Sequence, residues 1–180
     1  MMVAAEPWQR AEIPGPKKAT AITSAKVISA MLKKAKRPLL VVGHEVIGVS
    51  LGEESLVSAL AYLARRLGIP LVATAQTVKS FLDGGFKPAA SMSIMEVGSR
   101  LADSDWKGID GKGQYDLVLF IGYTYYVLWN VLSGLKNFAP HLKAMSLDRY
   151  YHPNAAWSLP NLSHDDWIKN MRDFFQLMNI

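Results

Sequence analysis

Two short hydrophobic runs, each ending in a glycine, constrain the fold of this chain more than any other feature. Residues 38–43 read Pro-Leu-Leu-Val-Val-Gly, and residues 117–122 read Leu-Val-Leu-Phe-Ile-Gly. Such continuously apolar runs are typical of buried strands, and a terminal glycine lets the chain turn sharply at the strand end. In an open parallel sheet, ligands bind outside such strand ends. We therefore expect functional residues beside Gly43 and Gly122.

Helix-like and strand-like segments alternate along the chain. Apolar stripes at helical spacing and short apolar runs predict helices over 24–35, 53–67, 76–83, 92–102, 127–138 and 164–178, and strands over 39–43, 69–73, 116–121 and 142–147. Ser163 followed by Asp166 resembles a capping box at the start of the last helix. This order predicts an α/β fold, a doubly wound parallel sheet in three layers.

Residues 1–19 are predicted to form an extended N-terminal arm ahead of a single domain, residues 20–180. Prolines interrupt any helix in the arm, and Trp8 is typical of a docking contact. The chain has a net charge of +5, and its basic excess lies within residues 1–37. This segment is interpreted either as a solvated face or as a surface for an acidic partner. No aromatic pattern of a nucleic-acid-binding module accompanies it, so no nucleic acid is expected as a partner.

Composition excludes several classes of chemistry. The chain has no cysteine, which excludes disulfides, thiolate nucleophiles and an iron–sulfur cluster held by its own thiolates. Its four histidines are not at metal-ligand spacing, so no metal site is expected. No run approaches the ~18 apolar residues of a membrane span, and no secretory signal pattern opens the chain. We therefore expect a cytoplasmic protein.

The residues that follow the strand ends give weaker chemical signals. The Gly-x-Gly-x-x-Gly dinucleotide fingerprint and the phosphate-binding loop are both missing, although the two glycines would let a nucleotide approach the backbone. His44 and Glu45 are interpreted either as an acid–base pair or as residues that shape the loop. Asp148, after the last predicted strand, would accept a hydrogen bond from a ribose hydroxyl or pair locally with Arg149. No catalytic residue is assigned.

Aromatic residues are concentrated after the second glycine and near the C-terminus. They would pack in the core, form a protein interface, or stack on a flavin or adenine ring. The residues concerned are Tyr123, Tyr125, Tyr126, Trp129, Tyr150, Tyr151, Trp157 and Trp167.

Several segments together resemble one family, the epsilon subunits of the archaeal acetyl-CoA decarbonylase/synthase complex, a small subunit of its carbon monoxide dehydrogenase component. The resemblance covers nearly the whole chain. The segments that carry it are residues 13–19 (Ile-Pro-Gly-Pro-Lys-Lys-Ala), 36–43, 105–108 (Asp-Trp-Lys-Gly), 115–122 and 148–151 (Asp-Arg-Tyr-Tyr).

The resemblance implies a fold and a role. The fold would be the deoxyhypusine-synthase-like NAD/FAD-binding fold, a variant without the Gly-x-Gly-x-x-Gly fingerprint. The role would be that of a non-catalytic subunit that stabilises the alpha subunit in an alpha2–epsilon2 unit. That unit oxidises carbon monoxide to carbon dioxide in methanogenic metabolism, and the alpha subunit holds all the metal clusters. The alternative is an electron-transfer subunit that binds FAD, with the cofactor held by Gly43, His44, Gly122, Tyr123 and Asp148.

Overall fold

The computed structural model describes residue 9 and residues 12–180. At its centre lies a sheet of seven strands, all parallel, in the order β1-β7-β6-β5-β2-β3-β4. The strands are β1 Thr20–Ala21, β2 Pro38–Val42, β3 Leu71–Ala73, β4 Ala90–Ser91, β5 Leu117–Ile121, β6 Lys143–Ser146 and β7 Trp157–Ser158.

Helices cover both faces of this sheet. One hydrophobic core lies under α1, α2, α3 and α6, and the other lies under α4 and α5. The helices are α1 Ala25–Lys34, α2 Leu56–Leu67, α3 Ala75–Asp83, α4 Ile94–Ala102, α5 Tyr125–Phe138 and α6 His164–Leu177. The predicted α/β fold with three layers is therefore confirmed. None of the helices formed by the described residues is both long and apolar enough to cross a membrane.

The two glycine-terminated runs form neighbouring strands in the middle of the sheet. Leu40 of β2 pairs with Leu119 of β5, and all five residues of β5 are buried. β3 lies on one side of β2, whereas β5 lies on its other side. The direction in which the chain crosses the sheet therefore changes between β2 and β5. Such a switch point is where ligands bind in open α/β sheets.

Helix boundaries differ from the predicted ones by up to three residues, for local reasons. α2 begins at Leu56 rather than at residue 53, because the Ser55 hydroxyl caps it by accepting a hydrogen bond from the Ser58 amide at 3.1 Å. At the start of α6, the Ser163 hydroxyl accepts from the Asp166 amide at 3.1 Å. The predicted cap of α6 is therefore confirmed.

Three strands of only two residues, β1, β4 and β7, were not predicted. They are too short to show a pattern of their own, and backbone pairing with neighbouring segments defines them. The Ala19 amide donates to the Pro153 carbonyl at 2.9 Å, and the Thr20 amide donates to the Ala156 carbonyl at 3.0 Å. Strand β1 thus adds the segment after the predicted arm to one edge of the sheet.

Residues 12–19 of the predicted arm lie against α5. The Lys136 ammonium at the end of α5 donates to the carbonyl oxygens of Pro14 and Lys17, each at 2.5 Å. Trp8 lies outside the described residues. The division of the chain into an arm and a domain stays a prediction.

Candidate functional site

Gly43 and Gly122, at the ends of β2 and β5, are in direct contact. A Cβ atom at Gly43 would collide with the carbonyl oxygen of Gly122. A Cβ at Gly122 would lie 2.6 Å from a methyl group of Val46, and Gly122 also has a positive φ of 84°. The Glu45 amide donates to the Gly122 carbonyl at 3.0 Å, which ties the two loops together. The space between the two glycines is therefore closed by backbone.

Asp148, which follows β6, holds the second of these loops in place. Its carboxylate accepts hydrogen bonds from the backbone amides of Gly122 at 2.6 Å and Tyr123 at 3.4 Å. Burial raises the pKa of Asp148 to about 7, and the two amide hydrogen bonds only partly offset this rise. The Arg149 guanidinium does not pair with Asp148; it lies over the ring of Tyr150, 4.4 Å from the ring centroid. Asp148 therefore supports the loop by binding its backbone amides.

Two clefts open on either side of the closed contact. The first, which we call cleft A, has a volume of about 510 Å³ and lies between the N-termini of α5 and α6. Its walls include several aromatic and polar side chains: Glu45, Tyr123, Thr124, Tyr125, Tyr126, Asp148, Arg149, Tyr150, His152, His164 and Trp167.

The second cleft, cleft B, has a volume of about 490 Å³ and lies outside the carboxyl ends of β3 and β4. Hydroxyl and amide groups are frequent among its residues, which include His44, Thr74, Gln76, Ser91, Ser93, Glu96, Tyr123, Thr124 and Val127. Tyr123 and Thr124 line both clefts. These two residues, at the start of α5, therefore form the ridge between cleft A and cleft B.

His44 and Glu45 line different clefts, although they are adjacent in the chain. His44 lines cleft B, whereas Glu45 lines cleft A and accepts a hydrogen bond from the Thr124 hydroxyl at 3.1 Å. Both belong to a single turn of 3-10 helix, His44–Val46, directly after Gly43. This placement favours the interpretation that the two residues shape the loop, over an acid–base pair.

His152, which sequence reasoning did not select, is the most unusual polar residue of cleft A. It is only 1% exposed, and neither ring nitrogen has a hydrogen-bond partner. Its imidazole stacks on the ring of Tyr125, with centroids 4.3 Å apart. Burial lowers the pKa of His152 to about 3, so the ring is neutral near pH 7. The sequence around His152, between β6 and β7, does not indicate that the residue is buried, because its burial comes from packing against Tyr125 of α5.

The aromatic residues divide between core and surface. Tyr123 and Tyr125 are buried, and Trp167 is buried with its indole N–H donating to the Leu147 carbonyl at 2.7 Å. Tyr126, in contrast, is 55% exposed. Core packing therefore accounts for part of the aromatic content, and exposed side chains remain at the edge of cleft A.

The chain matches one protein family over almost its whole length. The family model described as "CO dehydrogenase beta subunit/acetyl-CoA synthase epsilon subunit" matches residues 2–175. The chain belongs to this family. The resemblance inferred from the sequence is therefore confirmed.

Curated relatives agree with the family match. The acetyl-CoA decarbonylase/synthase complex subunit epsilon of Methanothermobacter thermautotrophicus is 37% identical over 169 residues, which cover 94% of each chain. The epsilon subunit of Methanothrix soehngenii is 41% identical over 158 residues, covering 87% of this chain and 81% of the relative. Epsilon subunit 1 of Archaeoglobus fulgidus is 37% identical over 156 residues, covering 86% and 81%. The chain is thus an epsilon-family subunit of archaeal type.

The five residues predicted to bind a cofactor do not share one crevice. Gly122, Tyr123 and Asp148 line cleft A, whereas His44 lines cleft B. Gly43 is buried between the clefts against Gly122. The described residues contain no group of three or more side chains that could hold a metal ion. Whether the five residues bind a cofactor stays a prediction.

Proposed function

We propose that this chain is a non-catalytic subunit that binds and stabilises the alpha subunit of the carbon monoxide dehydrogenase component. The observation that carries the proposal is the similarity, over most of both chains, to proteins named as epsilon subunits of the acetyl-CoA decarbonylase/synthase complex. In this role the chain supports the oxidation of carbon monoxide to carbon dioxide, within a complex that makes or cleaves acetyl-CoA.

The composition of the chain supports a division of labour between subunits. Oxidation of carbon monoxide by water releases two electrons and two protons, so a redox centre must accept the electrons. This chain has no cysteine with which to hold an iron–sulfur cluster. The metal chemistry is therefore assigned to the partner, and the contribution of this chain is contact.

The experiment is to express the alpha subunit with and without this chain and to compare the two preparations. We expect the two chains to copurify. We also expect the carbon monoxide-oxidising activity to survive several-fold longer at elevated temperature when this chain is present. Failure to copurify, or equal half-lives with and without the chain, would contradict the proposal.

A flavin-binding electron-transfer role is the second candidate, and the arrangement of the two clefts favours it. Cleft A and cleft B meet at Thr124, the residue directly before the first turn of α5. A helix N-terminus is favourable for a pyrophosphate, because its backbone N–H groups and its dipole attract anions. Each cleft is within the volume range of ligand pockets. This arrangement would place the pyrophosphate at Thr124 and one ring system in each cleft, and it requires the Glu45 carboxylate, which accepts a hydrogen bond from the Thr124 hydroxyl at 3.1 Å, to move away from the phosphates.

In this second role, bound FAD would supply one-electron and two-electron transfer, and the chain would orient it. We expect micromolar FAD to lose fluorescence on titration with the chain. Thr124→Glu places a carboxylate at the start of α5 and should weaken FAD binding at least tenfold by repulsion. Thr23→Glu makes the same change at an exposed position before α1 and should leave binding unchanged. Unquenched flavin, with or without the alpha subunit, would remove this candidate.

A further inference from the structure

Helix α5 is unusually poor in charge for a helix on the surface of a domain. Its 14 residues include a single charged residue, Lys136. The ammonium of Lys136 is bound by the carbonyl oxygens of Pro14 and Lys17. Helix α6 has the same length, and its charged residues are Asp165, Asp166, Lys169, Arg172 and Asp173. Solvated helix faces normally resemble that of α6, with charged side chains opposite the apolar stripe.

The outward side of α5 instead carries uncharged side chains, with the exposed polar residues Asn130 and Asn137 beside large exposed apolar ones. Phe138 is 73% exposed and Val127 is 41% exposed. The spacing of residues 127, 131, 134 and 138 places them along one side of the helix. Within this stripe, Val131 points to α4, because a Cβ at Gly98 would lie 2.9 Å from one of its methyl groups. The stripe therefore borders the groove between α4 and α5.

Helix α4 continues the apolar surface on the other side of the groove. Met95 is 57% exposed and shares the α5 side of its helix with Gly98 and Ala102. The two charged residues of α4, Glu96 and Arg100, pair with each other at 2.9 Å. The α4–α5 face, defined here by Met95, Gly98, Ala102, Val127, Gly134 and Phe138, thus lacks an unpaired charge along its length.

Gly134 has no role in the packing of the chain itself. A Cβ at this position would meet no atom within 4 Å. Glycine inside a helix lowers helix stability relative to alanine, so an open position would ordinarily hold another residue. A glycine there is explained if another surface approaches the backbone closely in the assembled state.

We propose that the α4–α5 face is the surface through which this chain docks on the alpha subunit. The occupant is a protein surface without charged side chains at its centre, because a charge buried against this face would find no partner. The same reasoning disfavours a nucleic acid or an acidic segment, which would select the basic residues elsewhere on the chain. This inference rests on the proposed function, since it requires the alpha subunit as partner.

The experiment measures the affinity of the full chain and its variants for the purified alpha subunit. Val127→Lys and Phe138→Lys place charges on the face, and each should weaken binding at least tenfold. Matched controls are Tyr62→Lys and Leu82→Lys, which are 48% and 52% exposed in the wild-type chain and lie on α2 and α3, in the opposite layer. The controls should bind like the wild-type chain.

Gly134→Gln separates docking from folding. Because the position is open, we expect the isolated variant to melt at an equal or higher temperature than the wild-type chain. The longer side chain should nevertheless weaken binding to the alpha subunit at least tenfold.

The possible failures are distinguishable. If the wild-type chain does not bind the alpha subunit, the proposed function is wrong and the docking assignment falls with it. If the wild-type chain binds and the face variants bind equally well, only the docking assignment is wrong. If the isolated wild-type chain is a dimer that Val127→Lys converts to a monomer, a second copy occupies the face and the assignment to the alpha subunit is overturned.

Discussion

The backbone of Gly43 packs directly against the carbonyl group of Gly122, so that neither position has room for a side chain. This contact joins the ends of the two central strands and separates cleft A from cleft B. The carboxyl edge of the sheet therefore carries two clefts with a shared ridge, rather than one open crevice.

Replacement of Gly43 by alanine is expected to lower the free energy of unfolding by about 3 kcal/mol, because the added methyl group meets backbone that has no space to move. Gly134→Ala is the matched control, at a position with open space, and should raise the free energy of unfolding by about 0.5–1 kcal/mol. Urea denaturation measures both. An equally stable Gly43→Ala chain would show that the loops separate easily.

The buried carboxyl group of Asp148 is expected to make stability depend on pH. Its pKa is raised to about 7 in the folded chain, against about 3.9 when unfolded. The folded state therefore binds the extra proton between these values, and the contribution of Asp148 to stability falls as pH rises from 4 to 7. Asp148→Asn stays neutral, so its stability relative to the wild-type chain should increase over this range. A constant difference from pH 4 to 8 would contradict the raised pKa.

His152 is expected to have the opposite pH dependence. Burial lowers its pKa to about 3 in the folded chain, against about 6.5 when unfolded. The unfolded state therefore binds the extra proton at mildly acidic pH, and stability falls as pH decreases from about 6.5.

His152→Phe keeps an aromatic ring against Tyr125 without the ionisable nitrogens. Relative to the wild-type chain, it should become progressively more stable as pH falls from 7 to 4. Because His152 and Asp148 act in opposite directions, the wild-type chain should show a weaker pH dependence than either variant. Urea denaturation at intervals of one pH unit tests this. If the free energy of unfolding changed with pH in the same way for all three chains, the opposite effects of Asp148 and His152 would be refuted.

Lys136 is expected to anchor residues 12–19 against α5, because its ammonium binds two carbonyl groups of that segment. Lys136→Met removes these hydrogen bonds and should make the bonds after Lys17 and Lys18 several-fold more susceptible to trypsin. Lys143→Met is the control, at an exposed lysine whose ammonium lies over the ring of Trp157. Equal cleavage rates in the two variants would show that Lys136 does not hold the segment.

Much of the fold could be predicted because its signals are local. The apolar runs of β2 and β5 and the apolar stripes of the helices lie within short stretches of sequence. Because each stripe must be buried against the sheet, the helices form layers on its two faces. The two-residue strands β1, β4 and β7 could not be predicted, since pairing with distant segments defines them. The separation of His44 from Glu45 into different clefts likewise depends on one turn of 3-10 helix that carries no periodic signal.

The sequence by itself determined that this is an α/β chain of the epsilon-subunit family, with one buried strand ending at Gly43 and another ending at Gly122. It also excluded an iron–sulfur cluster held by the chain's own thiolates, because the chain contains no cysteine. Only the tertiary structure decided that Gly43 and Gly122 touch and divide the edge into two clefts, and that His152 is buried without a hydrogen-bond partner. It also decided that α5 presents an uncharged face. These features arise from packing between segments distant in the chain, and neither residue type nor spacing encodes such contacts.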